Sequence, residues 1–222
     1  MKRTFGVLAM VVIALAAPRA EAGVIRGQLL LSAGAAHAAE KNDRQTLART
    51  QHGVTDAVVY LERIPDKVER KLTGHGWFFT LGRPPLPRII QSHMRFVPRV
   101  MPVAAGTAVR FENLDRVYHS AFSVSAAKRF DLGKYPPGRV DTVMFDRAGV
   151  VNLHCDIHPE MSGYIVVVPN HAYTRPDSMG SFALPKLPPG NYTVHAWLPQ
   201  FGELTAKVEM PRHGNSGLKM AY

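Results

Sequence analysis

One stretch, Val150 to Gly163, restricts what this chain can fold around more than any other. Within it Cys155, His158 and Met161 stand as C-x2-H-x2-M, with an apolar run on each side. A thiolate, an imidazole and a thioether on one short loop can all turn inward toward a single ion. Soft sulfur donors with imidazole favour copper over zinc, magnesium or calcium, and a His2Cys set with a weak axial Met is a blue-copper electron-transfer site. The loop itself lacks one imidazole, so a second His must come from elsewhere in the chain.

The N-terminus reads as a secretory signal over residues 1–22. Lys2 and Arg3 give the positive start, Phe5 to Ala17 the apolar segment, and Ala20-Glu21-Ala22 an A-x-A cleavage site before Gly23. The apolar segment is short for a membrane span, and no later stretch is long enough for one. The expectation is therefore a periplasmic protein with no stable membrane anchor. Export gives the single cysteine a meaning. An oxidising compartment favours paired cysteines, and Cys155 has no partner in the chain. Its neighbours point to a metal rather than to a buried or intermolecularly bonded thiol.

The formal charge is +10 for all 222 residues, with 27 basic and 17 acidic side chains. Without Lys2, Arg3, Arg19 and Glu21 the balance is still strongly basic. Such a balance favours acidic partners or anionic surfaces, or simply solubility. An exported chain with no nucleic-acid motif is not expected to bind nucleic acid.

Periodicity indicates an all-β chain. Val24 to Leu31 is a short apolar run, and Thr55 to Glu62 alternates with Ala57, Val59 and Leu61 on one face. Residues 33–53, with His37 and His52, read as a surface loop or short helix, and residues 63–87 as a proline-rich connection. In the run Gly106 to Glu112, Thr107, Val109 and Phe111 share a face. Further strand-like segments are Ala121 to Val124, Val140 to Phe145, Val151 to Cys155 and Gly163 to Val168, followed by alternation through Tyr192 to Leu198 and Leu204 to Met210. No helical period is evident after the signal. Many short strands separated by turn residues suggest a sandwich or barrel. Alternation also turns His154 away from Cys155, which makes it a poor ligand candidate.

Residues 88–170 resemble a cupredoxin. The resemblance rests on Phe96-x-Pro98, Gly106-Thr107-x-Val109-x-Phe111-x-Asn113-x-Asp115, His119, Gly149 and Cys155-x2-His158-Pro159-x-Met161-x-Gly163. The short ligand loop is similar to that of the amicyanins. Residues 23–62 and 173–210 resemble the carboxypeptidase regulatory-like sandwich, through Ile25-x-Gly27, Asp56 to Leu61 and Gly180-x-Phe182-x-Leu184-x-x-Leu187-Pro188-Pro189-Gly190-x-Tyr192-x-Val194. The whole arrangement looks like the plastocyanin-like proteins of the methylamine utilisation type. Two positions depart from the cupredoxin pattern: Ser120 follows His119 where Asn is common, and Asp156 follows Cys155 where amicyanin-like loops carry a small hydroxyl residue.

The resemblance implies one type 1 copper ion held by His119, Cys155, His158 and axial Met161. It also implies a Greek-key sandwich inserted into, or adjoining, a second small β-sandwich. The flanking strands would come from residues 23–87 and 171–222. Four protein ligands leave no open position for substrate, so an electron carrier is expected and not an enzyme. Its partner would be a redox protein, a dehydrogenase or a cytochrome. The alternative is a module that stores or delivers copper.

Overall fold

A computed structural model describes residues 21–32, 54–74 and 85–222. Most of the expected signal segment, the 33–53 stretch with His37 and His52, and His75 lie outside the described residues.

Alternating side chains produce strands almost throughout. The chain runs through β1 (Ile25–Leu30), β2 (Val58–Leu61), a short helix α1 (Asp66–Leu72), β3 (Arg88–Gln91), β4 (Phe96–Val97), β5 (Val100–Ala104) and β6 (Thr107–Asn113). It continues with β7 (His119–Ser125), β8 (Lys128–Tyr135), β9 (Val140–Phe145), β10 (Gly149–His154) and β11 (Ser162–Val168). The last strands are β12 (Tyr173–Thr174), β13 (Ser181–Ala183), β14 (Gly190–Leu198), β15 (Gly202–Met210) and β16 (Ser216–Ala221).

Among the described residues the fold is all-β apart from α1, which lies inside the segment read from sequence as a plain connection. Its seven residues carry Asp66 and Glu69 in the first turn and Arg70 and Lys71 in the last, the arrangement that suits the helix dipole. Val68 is buried and Leu72 packs against the same core. A single i, i+4 pair is too little for a helical period to show in the sequence.

Residues 88–168 build a cupredoxin-like sandwich of two sheets. One has the order β5-β11-β10-β7-β8 and the other β4-β3-β6-β9. Parallel pairs at β5–β11 and β3–β6 join strands that are not consecutive in sequence, so their connections must cross over. Val109, Phe111, Phe145, Val151, Leu153 and Ile165 fill the space between the sheets, each essentially inaccessible. Each such side chain contributes roughly 1.5–3 kcal/mol by leaving water.

The flanking segments form two further sheets, β13-β1-β16 and β12-β2-β14-β15. Strands from both sides of residues 88–168 thus share sheets: β1 pairs in parallel with β16, and β2 pairs with β14. Ile25, Leu29, Leu61, Val194 and Ala196 are buried in their common core.

The sheets of the two parts also meet. In β11, Ile165 and Val167 enter the core between these two sheets, whereas Val166 and Val168 pack with Val58, Val100 and Trp197 on the opposite face. This is why the run Ile165-Val166-Val167-Val168 is apolar without alternation. The Tyr164 and Trp197 rings lie 5.3 Å apart at this junction, and Arg99 reaches across to Asp56 at 3.0 Å.

Candidate metal centre

Two strand ends and one turn bring the donor groups together. His119 opens β7, Cys155 follows the last residue of β10, and Met161 immediately precedes β11. The connection from Cys155 to Met161 closes on itself where the Met161 N–H donates to the His158 carbonyl at 2.9 Å. His119, Cys155 and Met161 are buried, and His158 is half-buried, so only its imidazole reaches toward the surface.

The facing atoms form a small triangle. His119 Nδ1 and His158 Nδ1 lie 3.1 Å apart, and Cys155 Sγ lies 4.0 Å and 3.8 Å from them. Among the described residues this is the one group of at least three His, Cys, Asp or Glu side chains close enough to hold an ion. First-row ions bind imidazole and thiolate at about 2.0–2.3 Å. Two donors sharing an ion must then lie within about 4.0–4.5 Å of each other, and all three separations comply. One thiolate and two imidazoles in a buried site fit a type 1 copper ion. Met161 is packed in the same cluster as Cys155. His154, by contrast, is on the opposite face of β10, where its ring sits 5.6 Å from that of Phe122.

A polar shell surrounds the donors. His119 Nε2 donates to Asp115 Oδ2 at 2.8 Å. A carboxylate can only accept, so Nε2 carries a proton, which in the neutral imidazole leaves the Nδ1 lone pair toward Cys155 and His158. Asp115 also accepts the backbone N–H groups of His93 and Met94, at 2.7 and 2.9 Å. Burial alone would raise the Asp115 carboxyl, but the Met94 N–H, the His119 imidazole and the His93 N–H together hold the group below the usual carboxylate range.

Ser120, which stands where Asn is common in the cupredoxins this chain resembles, joins the two ligand-bearing segments. Its Oγ accepts the Asp156 N–H at 2.7 Å, and its own N–H points at Cys155 Sγ from 3.4 Å. Its carbonyl accepts from Gln91 Nε2 at 2.8 Å, which links β3 to β7 behind the site. Buried Asn113 receives the Asp115 N–H on Oδ1 and donates from Nδ2 to the Val117 carbonyl. Close by, burial pushes the Tyr135 phenol up, helped by Asp141 and Cys155, so it stays neutral. Spacing alone gave no role to Gln91 or Asp115. Asp115 stands four residues before His119, but nothing in that interval distinguishes a hydrogen-bonded pair from two turn residues.

No protein-family model matches the chain. No curated protein matches it either. Solved structures similar to it include the copper-containing nitrite reductase of Thermus scotoductus SA-01, at 27% identity over 39% of this chain and 23% of that one, with a TM-score of 0.37. A purple cupredoxin of Nitrosopumilus maritimus is 24% identical over 36% of this chain and 98% of its own, with a TM-score of 0.33. The reduced Cu(I) form of an amicyanin mutant is 20% identical over 39% of this chain and 86% of its own, with a TM-score of 0.36. The chain therefore spans less than a quarter of the nitrite reductase.

Proposed function

We propose that this chain is an exported type 1 copper protein that carries single electrons between protein redox partners. The copper would be held by His119, Cys155 and His158, with Met161 as the weak axial ligand. The observation that carries the reading is the triangle of Cys155 Sγ and two Nδ1 atoms, closed within 4.0 Å and buried on all sides except at His158. Bound copper supplies a one-electron change between its cuprous and cupric states.

The residues are arranged to let that change occur with little movement. The Ser120–Asp156 bond and the Met161–His158 turn hold the ligand loop against β7, and Asp115 fixes the His119 ring. Ligands held in place need little rearrangement between two oxidation states. Burial of Cys155 and Met161 keeps water from the sulfur donors. The half-buried His158 lies on the loop end of the sandwich, where Met94, Leu114, Val117, Tyr118 and Ile157 are exposed. Clustered exposed apolar residues mark an interaction surface, here one around the ligand closest to solvent. A dehydrogenase or cytochrome docking there would meet the His158 edge. Export through residues 1–22, division of the chain near 87 and 170, and a carboxypeptidase regulatory-like character for the flanking sheets belong to the same reading.

Voltammetry of the copper-loaded protein tests it. The expected result is repeated one-electron cycling with one ion retained per chain. Loss of the ion on each reduction would instead mark a module that delivers copper.

A further inference from the structure

The turn between β3 and β4 has an unusual backbone. Ser92 and Arg95 exchange both of their backbone hydrogen bonds, at 3.0 and 3.2 Å, so the hairpin turns on the two residues between them. Those are His93 and Met94, with φ of 53° and 57°. Two successive left-handed residues are the mark of a type I′ turn, which ordinarily takes Asn-Gly, since a Cβ is unfavourable there. Neither residue is the Asn or Gly that such a turn ordinarily takes, and Met94 has no local polar group that favours this conformation. The amides of both residues donate to one carboxylate, that of Asp115, which also receives the Nε2–H of His119.

We propose that Asp115 is a positioning residue that holds the His119 imidazole and the strained His93-Met94 turn as one unit, so that the metal ligand and the exposed hairpin tip beside it are set by the same carboxylate. The turn presents Met94 on the loop end that carries the exposed apolar side chains. Asn113 supports the arrangement by accepting the Asp115 N–H from below. Acceptance from Nε2 fixes one tautomer, so His119 Nδ1 is ready to bind before any ion arrives. A partner that shifted the hairpin tip would therefore act on a metal ligand through a single side chain. This extends the copper reading, but its first test is independent of copper.

In the metal-free protein, nitrogen NMR of the imidazoles should find His119 wholly as the Nε2–H tautomer, and the His93 and Met94 amides protected from exchange. Asp115→Asn should give a mixture of His119 tautomers and expose both amides. Copper affinity should fall about ten- to hundredfold, the usual effect of losing such an outer partner. The reduction potential should rise, because a neutral partner supports the cupric state less well. Asp115→Asn with Met94→Gly removes the backbone penalty at one left-handed position and protects the assay against simple misfolding. In that double variant the stability should recover while the tautomer mixture and the raised potential persist. The proposal is overturned if wild-type His119 carries its proton on Nδ1, or if Asp115→Asn leaves the tautomer and the amides unchanged. It is also overturned if the double variant regains the wild-type tautomer and potential, since Asp115 would then act on the hairpin alone. Failure of the wild-type chain to bind copper would contradict the proposed function and leave the metal-free result to decide the role of Asp115.

Discussion

Ser120 and Asp156 join the two segments that carry the metal donors: Ser120 Oγ, one residue past His119, accepts the N–H of Asp156, one residue past Cys155, at 2.7 Å. A hydroxyl on β7 thus replaces the amide side chain usual in cupredoxins, and its partner is the backbone of the residue that departs from the amicyanin-like loop. Ser120→Ala leaves the Asp156 amide without its acceptor in a partly buried position. The expected loss is about 1–2 kcal/mol in denaturant unfolding of the metal-free protein. The copper-bound visible spectrum should shift as well, because the loop bearing Cys155 is no longer tied to β7.

The donors differ in what their removal does. Cys155→Ser should abolish the visible colour and most of the copper affinity, because a hydroxyl is a hard and poorly ionised replacement for thiolate. His119→Ala should leave a defective site open to exogenous ligands. Met161→Leu should retain copper and much of the colour while shifting the potential, as expected where the axial bond is long and weak. His154→Ala should change none of these, its ring being packed on Phe122 on the other face of β10. Copper stoichiometry, visible spectra and midpoint potentials of the four variants separate these outcomes.

The seam between the two pairs of sheets is a matter of stability and not of the metal. Trp197 packs beside Tyr164 with Val58, Val100, Val166 and Val168. Trp197→Ala should cost about 3–5 kcal/mol in chemical unfolding, the range for emptying a large aromatic site. The visible spectrum of whatever protein remains folded should match the wild type, since Trp197 of β14 packs on the Tyr164 face of β11, turned away from the core that holds Cys155 and Met161.

Gly27 is fixed by close approach. A Cβ built there would fall 2.3 Å from the Phe182 ring and 2.5 Å from the Leu218 carbonyl oxygen. Gly27→Ala must therefore push β1 away from β13 and β16. A lowered unfolding midpoint with unchanged copper binding is the expected result, checked by thermal melting with and without copper.

How much of this was legible from sequence follows from where the information lies. The ligand loop was readable because three donors fall within seven residues, and β6, β10 and β14 were readable because one face of each is apolar. β8 was not, since its exposed and half-buried residues alternate without any deeply buried one until Tyr135. It is an edge strand beside β7, and its polar composition suits an edge. β16 escaped because only Leu218 and Met220 mark its inner face, in a short strand beginning Ser216-Gly217. His119 could be named only through the cupredoxin resemblance, and the Asp115 contact depends on the shape of the turn between β6 and β7. Side chains that meet through tertiary geometry leave no period in the sequence.

The central claim is that Cys155, as a thiolate, binds one copper ion together with His119 and His158. Its most direct measurement is the visible spectrum of the purified protein titrated with cupric ion. The account predicts an intense thiolate-to-copper band that grows to one equivalent, bleaches on reduction, returns on reoxidation, and is absent in Cys155→Ser. A wild-type protein that takes up cupric ion without that band, or a Cys155→Ser variant that keeps it, would contradict the account.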